Sequence, residues 1–359
     1  LNRVRLDHPT IQLIKHRNVQ LNIEEVLGLK KGKGGGASPL IEFHHVQVID
    51  GTLRIALPWN PSSALTPRAQ RASALAAERA KPGKVIEESP EGLRKVILLS
   101  DLTTRMSRLR ITTPDHLPFT IDLDSLATRV SDPAVTLRDA VGRIRLHGDS
   151  AVFSISRGAL PGTRFSGGGA VTWPRDTVLF DFQATSPEVS LDDLRWVSPD
   201  FPSMTGSGVL AARSETGALT AYDIRELHLR DGTQRIDGDL VVITDRKRGL
   251  GFRNMRLALR DLDLDAARPY LDTLPFWGRI SGSVSGSGYL DAMDVSLDWA
   301  FADARVPGHP VSRLAGDGVV GASPDSGLTF SGFNVRRSDV DLRTVRLVVP
   351  SMRARGGGA

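Results

Sequence analysis

The sequence predicts a mainly β protein: an elongated, curled antiparallel sheet with short helical turns and one helical insertion. Three observations predict it. Apolar and polar residues alternate over most of the chain, as in Val295, Leu297, Trp299 and Phe301 against Asp294, Ser296 and Asp298. Side chains of a strand point to opposite faces in turn, so this pattern makes one greasy face and one wet face, the usual state of antiparallel sheets. Glycine (35 residues) and proline (21) punctuate the alternating runs. No extended strand–helix–strand alternation appears, which argues against a nucleotide-binding α/β fold.

Taken in order, residues 1–60 read as an N-terminal β segment. Asn22 is placed to cap a brief helix through Leu27, with Glu24 and Glu25 in its first turn. Lys30 to Ser38 is a glycine- and lysine-rich loop. Ile41 and Phe43, then Val46 and Val48, alternate; Asp50-Gly51 supplies a tight turn, and Leu53, Ile55 and Leu57 return, which predicts a hairpin. Residues 61–95 interrupt the pattern. Thr66-Pro67 starts and Pro82-Gly83 stops an alanine-rich stretch with charged flanks, predicting an exposed helical insertion. From residue 96 to 359 strands recur: Phe119, Ile121 and Leu123; Val178, Phe180 and Phe182; Leu257, Leu259, Leu262 and Leu264.

An internal repeat runs through this last segment. Leu191, Asp192, Arg195 and Pro202 align with Leu264, Asp265, Arg268 and Pro275 at an offset of 73 residues (264 − 191). Both copies read as strand, helical turn, proline and glycine-spaced strand. Repeat units near 189–261 and 262–334 follow, a period that fits a multi-strand sheet module.

Composition excludes several classes. With no cysteine there is no disulfide, thiolate metal site or cysteine nucleophile. The net charge of +5 is spread along the chain with no dense basic face and interleaved aromatics, so nucleic acid is not an expected partner. No apolar run is long enough for a transmembrane helix, and the chain reads as a segment of a longer protein. His44 and His45 are adjacent on a strand and so face opposite ways, which argues against a shared metal. Asp261, Asp263 and Asp265 imitate a calcium loop but Ala266 stands where its glycine belongs. The glycines after Lys30 lack the Lys-Ser/Thr pair of a phosphate loop. No catalytic residue, metal or cofactor is expected, and the chain is not read as an enzyme.

An apolar sheet face must be covered, by a second sheet, by barrel closure or by a ligand. A phospholipid has roughly 30 acyl methylenes at about 0.8 kcal/mol each, so crossing water unaided costs on the order of 20 kcal/mol. Roughly 20 strands spaced by about 4.8 Å would form a trough near 100 Å long. Here the sequence resembles a known family. The run "RLDHPTIQLIKHRNVQLNIEEVLGL" from Arg5, the later "IEFHHVQVIDGTLRI", the strand–turn–proline repeats and "GSVSGSGYLDAMDVSLDWAFAD" from Gly282 resemble AsmA-like and TamB-type envelope proteins. The resemblance implies a curled antiparallel sheet of the repeating β-groove type with an open groove, in a bridge-like lipid transporter of the periplasm. It further implies anchoring to the inner membrane by a segment not present in this chain, and acyl chains of phospholipid and the inner and outer membranes as partners. On that reading Val295, Leu297, Trp299, Phe301, Phe180, Phe182, Leu257 and Leu259 are the candidate lipid-lining residues. The alternative is a scaffold for outer-membrane assembly proteins, with exposed strand edges as templates. A carbohydrate-active β enzyme is a third reading, which would need a carboxylate pair in a cleft.

Overall fold

The structure, a computed structural model, describes residues 1–15, 22, 40–59, 68–80, 83–112, 119–147, 150–172, 179–196, 199–215, 219–245, 247–268, 277–323 and 327–344. It is mainly β and antiparallel, and divides into two units, Leu1–Trp173 and Pro174–Ala359.

The first unit contains β1 (Val4–Asp7), β2 (Thr10–Ile14), β3 (Ile41–Pro58), α1 (Arg68–Arg79), β4 (Val85–Ser89), β5 (Gly92–Thr112) and β6 (Phe119–Ser131). It continues through β7 (Ala134–Leu137), β8 (Asp139–His147), β9 (Ser150–Ala159) and β10 (Arg164–Thr172). The ladder runs β3–β5–β6–β8–β9–β10, with β4 and β7 as short partners of β5 and β6. β1 and β2 lie parallel to β3 along its outer edge, an exception to the antiparallel rule. Asn22 extends this edge: its side-chain amide accepts from Ile14 N–H at 2.9 Å and donates to Gln12 C=O at 3.0 Å, much as a strand residue would. The rest of its expected helix, and the loop from Lys30 to Ser38, lie outside the described residues. α1 occupies the expected insertion, although Thr66, Pro67 and Pro82 also lie outside them, and the segment 61–95 goes on to hold β4 and the start of β5.

The second unit is a meander of β11 (Leu179–Ser190), β12 (Thr205–Ser214), β13 (Leu219–Asp231), β14 (Gln234–Asp245) and β15 (Gly249–Asp263). It ends with β16 (Gly278–Tyr289), β17 (Ala292–Asp303), β18 (Val311–Ser323) and β19 (Gly327–Asp339), each paired antiparallel with the next. β11 and β19 are not paired with each other, so this sheet is open. Single 3-10 turns follow β11 and β15, at Leu191–Leu194 and Leu264–Ala267, which start 73 residues apart. β12 and β16, and β13 and β17, also start 73 residues apart. The structural module is therefore one turn and four strands. Val178 and Pro275 lie outside the described residues.

The hairpin expected at Asp50-Gly51 is not formed: β3 runs unbroken through both residues and stays paired with β5. The dipeptide instead makes a bulge, one extra residue on β3 with a shift of register between Val48 and Gly51. Asp50 has φ +51°, a left-handed conformation that side chains other than glycine rarely take. The same device recurs at Glu226, Asn254 and Asp261, with φ of +52°, +51° and +51°, each at a register shift. A bulge turns one N–H out of the ladder, and in all four cases the strand across the bulge supplies an acceptor for it. Asp50 N–H donates to Thr103 Oγ1 (3.3 Å) and Glu226 N–H to Asp239 Oδ1 (3.0 Å). Asn254 N–H donates to Ser287 Oγ (2.9 Å) and Asp261 N–H to Ser281 Oγ (2.8 Å). Bulges sharpen strand twist, so satisfied bulges let these sheets bend without losing hydrogen bonds.

Glycine serves the bend differently at Gly282. Its φ is +143°, and a Cβ there would overlap the Asp298 carbonyl of β17. Gly282→Val should therefore lower the stability of the second unit by about 2–3 kcal/mol. A urea unfolding midpoint equal to that of the unaltered chain would show that this close approach is dispensable.

Candidate functional site

The ladder registers decide which residues share a face, because directly opposed residues of antiparallel strands point the same way. In the second unit Leu257, Val284 and Leu297 form one row across β15, β16 and β17. Leu259, Gly282, Trp299 and Leu314 form the next, extended to β18, and Ile280 and Phe301 the one after. Val295 opposes Gly286 and Gly318. On the other side of the unit Phe182, Ala212, Tyr222, Val242 and Phe252 make a continuous row. Phe180 stands two residues from Phe182 on the same face, their ring centroids 5.7 Å apart. All eight candidate residues thus stand on one face of one sheet.

That face is crowded. Leu297 and Val295 are only 3% and 7% exposed. Part of their cover is Phe333 of β19, whose ring lies over Gly316 and Gly318 and fills the space those residues leave. Sequence reasoning passed over Phe333, Val284 and Ile280. Their signal was there, since Ile280, Gly282, Val284 and Gly286 alternate with Arg279, Ser281, Ser283 and Ser285, but the glycines read only as bends. Among the described residues no helix or second sheet is laid on this face; strands pack on their ladder neighbours, with the two 3-10 turns touching β11 and β16. The burial of Leu297 and Val295 therefore comes from side chains of the same face leaning together, as on the inside of a bent sheet. The indole N–H of Trp299 is buried there, with no hydrogen-bond partner among the described residues.

The opposite face is wet and ion-paired. Arg337 donates to Asp298 (2.8 Å), Arg336 to Ser296 Oγ (2.9 Å), and Arg213 pairs with Asp181 (2.8 Å). His228 Nδ1 lies 2.7 Å from Asp237.

The first unit is built on the same division. Phe43, Leu109, Ile121, Ile144 and Phe153 oppose one another across five strands, ending at Gly169 of β10. The adjoining row on the other face is His44, Arg108, Asp122, Arg143 and Ser154. Asp122 accepts from Arg108 Nε at 2.8 Å and also from Arg143. Burial alone would push its pKa up, but the two guanidiniums outweigh that and hold the carboxyl below its ordinary value.

The described histidines and acids that the sequence singles out do not come together. His44 lies 3.2 Å from Glu42 while His45 occupies a left-handed position, with φ +51°. Asp261 sits in a bulge, Asp263 ends β15 and Asp265 lies in the following turn, so the three acids do not converge. No group of three metal-binding side chains occurs among the described residues, and no described helix is long and apolar enough to cross a membrane. Compared with protein-family models, with curated proteins and with solved structures, the chain has no match in any of the three.

Asp122 offers a check on the wet face. Its folded pKa is depressed, so its ion pairs contribute stability that is fully present above the unfolded value, about 3.9, and is lost as pH falls through the lower folded value. Asp122→Asn should cost on the order of 1–3 kcal/mol at pH 7 and cost much less at the lowest pH at which the chain stays folded. Equal losses at pH 7 and in acid, read from urea midpoints, would show that the charge is not what matters.

Proposed function

We propose that the chain binds lipid acyl chains along the apolar faces of its open sheets and moves phospholipid across the periplasm, as a non-enzymatic part of an inner-membrane-anchored, AsmA-like transporter. The single observation behind this reading is the apolar face of the second unit, continuous from β11 to β19 and without a second layer among the described residues. A soluble sheet face of this kind is an interaction surface of a size that ordinary proteins bury. Strand-to-strand rows of Leu, Val, Phe and Trp without convergent polar groups suit methylene chains, which need contact but no hydrogen bonds. The family resemblance supports the same ligand and supplies the compartment. The scaffold reading shares the fold but needs no lipid.

Native mass spectrometry of the chain purified without added lipid should show bound phospholipid. Trp299→Asp and Phe301→Asp should reduce uptake of a fluorescent phospholipid from vesicles several-fold, with the β circular-dichroism signal retained. Absence of lipid, together with crosslinking to an outer-membrane assembly partner, would sink the transport reading and favour the scaffold. Undiminished uptake by both variants would remove β17 from the lipid path.

A further inference from the structure

The second unit places three arginines side by side. Arg230 of β13 is directly opposite Arg235 of β14, which is directly opposite Arg260 of β15. All three are exposed and on the wet face. Directly opposed side chains have Cβ atoms about 5 Å apart, and like charges in that position destabilise a sheet. None of the three pairs with a carboxylate among the described residues. The acids around them serve other donors: Asp237 faces His228, Asp261 takes Arg279 and Thr233, and Asp231 accepts from Gln234. Several other arginines of the wet face are matched by acid, as in Arg213 with Asp181 and Arg337 with Asp298. A row of cations without anions is a site that an added anion would relieve, and guanidinium is suited to grip phosphate oxygens in pairs.

The position of the row points to the anion's source. One residue further along each strand, on the apolar face, stand Leu229, Ile236 and Leu259, likewise directly opposed. Between Arg230 and Arg235 and the rim stand only the Asp231–Gln234 pair and the short turn through Gly232 and Thr233. The other connections at this end of the sheet are longer, spanning 191–204, 264–277 and 304–310. The connection beside Arg230 and Arg235 is therefore the shortest at this end of the sheet. We propose that Arg230, Arg235 and Arg260 hold the phosphate group of an amphiphile whose chains lie on Leu229, Ile236 and Leu259. The phosphate site stands on the arginine row alone, and the placement of the chains rests on the lipid reading above.

The test uses the full chain, the variant Arg235→Gln/Arg260→Gln and the charge-preserving Arg235→Lys. Vesicles of phosphatidylcholine carry either fluorescent phosphatidic acid or fluorescent diacylglycerol, which share chains and differ in the phosphate. The unaltered chain should take up phosphatidic acid in preference by on the order of tenfold. The glutamine variant should lose the preference while still taking up diacylglycerol, and Arg235→Lys should keep part of it. An unchanged preference in the glutamine variant overturns the proposal and leaves the lipid reading intact. If the unaltered chain takes up neither lipid, the lipid reading fails and inorganic phosphate decides the site. Thermal stabilisation by phosphate over chloride at equal ionic strength, lost in the glutamine variant, then keeps it as a site for free phosphate. No difference between the salts in that case overturns it.

Discussion

Pairing between adjacent strands is what holds these sheets together, and most other features follow from the need to keep that pairing while bending. A sandwich or barrel strand is pinned from two directions, by its ladder and by a layer stacked on its face. Here strands pack on ladder neighbours, and the apolar face is covered mostly by its own side chains. Any change of register then has two costs. It exposes a backbone group, and a slip of one residue would turn the apolar set to the wet side. The bulges at Asp50, Glu226, Asn254 and Asp261 avoid both. Each inserts one residue in a left-handed conformation, so the flanking apolar residues stay on their face, and a Thr, Ser or Asp across the ladder accepts the displaced N–H.

The wet faces have a matching electrostatic logic. Arginine and aspartate pair across the ladder, on neighbouring strands as in Arg213 with Asp181 or over the strand between as in Arg337 with Asp298, and add side-chain ties to a sheet that has few others. Exposed pairs are individually weak, at about 0–1 kcal/mol. The half-buried Asp122, shared by Arg108 and Arg143, ties three strands at once and stands out for that reason. Asp303 goes further: wholly buried at the end of β17, it accepts three hydrogen bonds from Arg305, including the backbone N–H, which fixes the turn leading to β18.

The fold class was legible because period-two alternation is a local signal carried by residues such as Val295, Leu297, Trp299 and Phe301. The bulges were legible too, in the places where the period slips. Ile224 to Leu227 and Leu259 to Leu262 are steps of three, and Glu226 and Asp261 are the residues taken up. The Asp50-Gly51 pair was misread because a left-handed Asp followed by Gly suits a tight turn and a bulge equally well; only the partner strand β5, forty residues on, distinguishes them. Long-range register was not legible at all. The arginine row joins residues 230, 235 and 260; the turn at Gly232 and Thr233 sets the first pair, but the place of Arg260 depends on the register shift between β14 and β15. Nor could alternation alone tell that Leu297 and Val295 would be the deepest of the eight candidates, since their cover comes from Phe333, whose place over two glycines is set by the β18–β19 register.

In the meander of the second unit, neighbours in space are also neighbours in sequence. Such an object behaves like a zipper rather than a knot. Closing each hairpin traps only a short loop, so little chain entropy is lost at each step. Stability is then close to a sum of link energies along a line, and damage to one link spreads mainly to the two beside it. Drawn apart from its ends, the sheet would come undone one strand at a time, at modest force and in nearly equal increments. The same arithmetic lets length vary freely: a hairpin added or removed changes how far the sheet extends without asking any distant residue to repack.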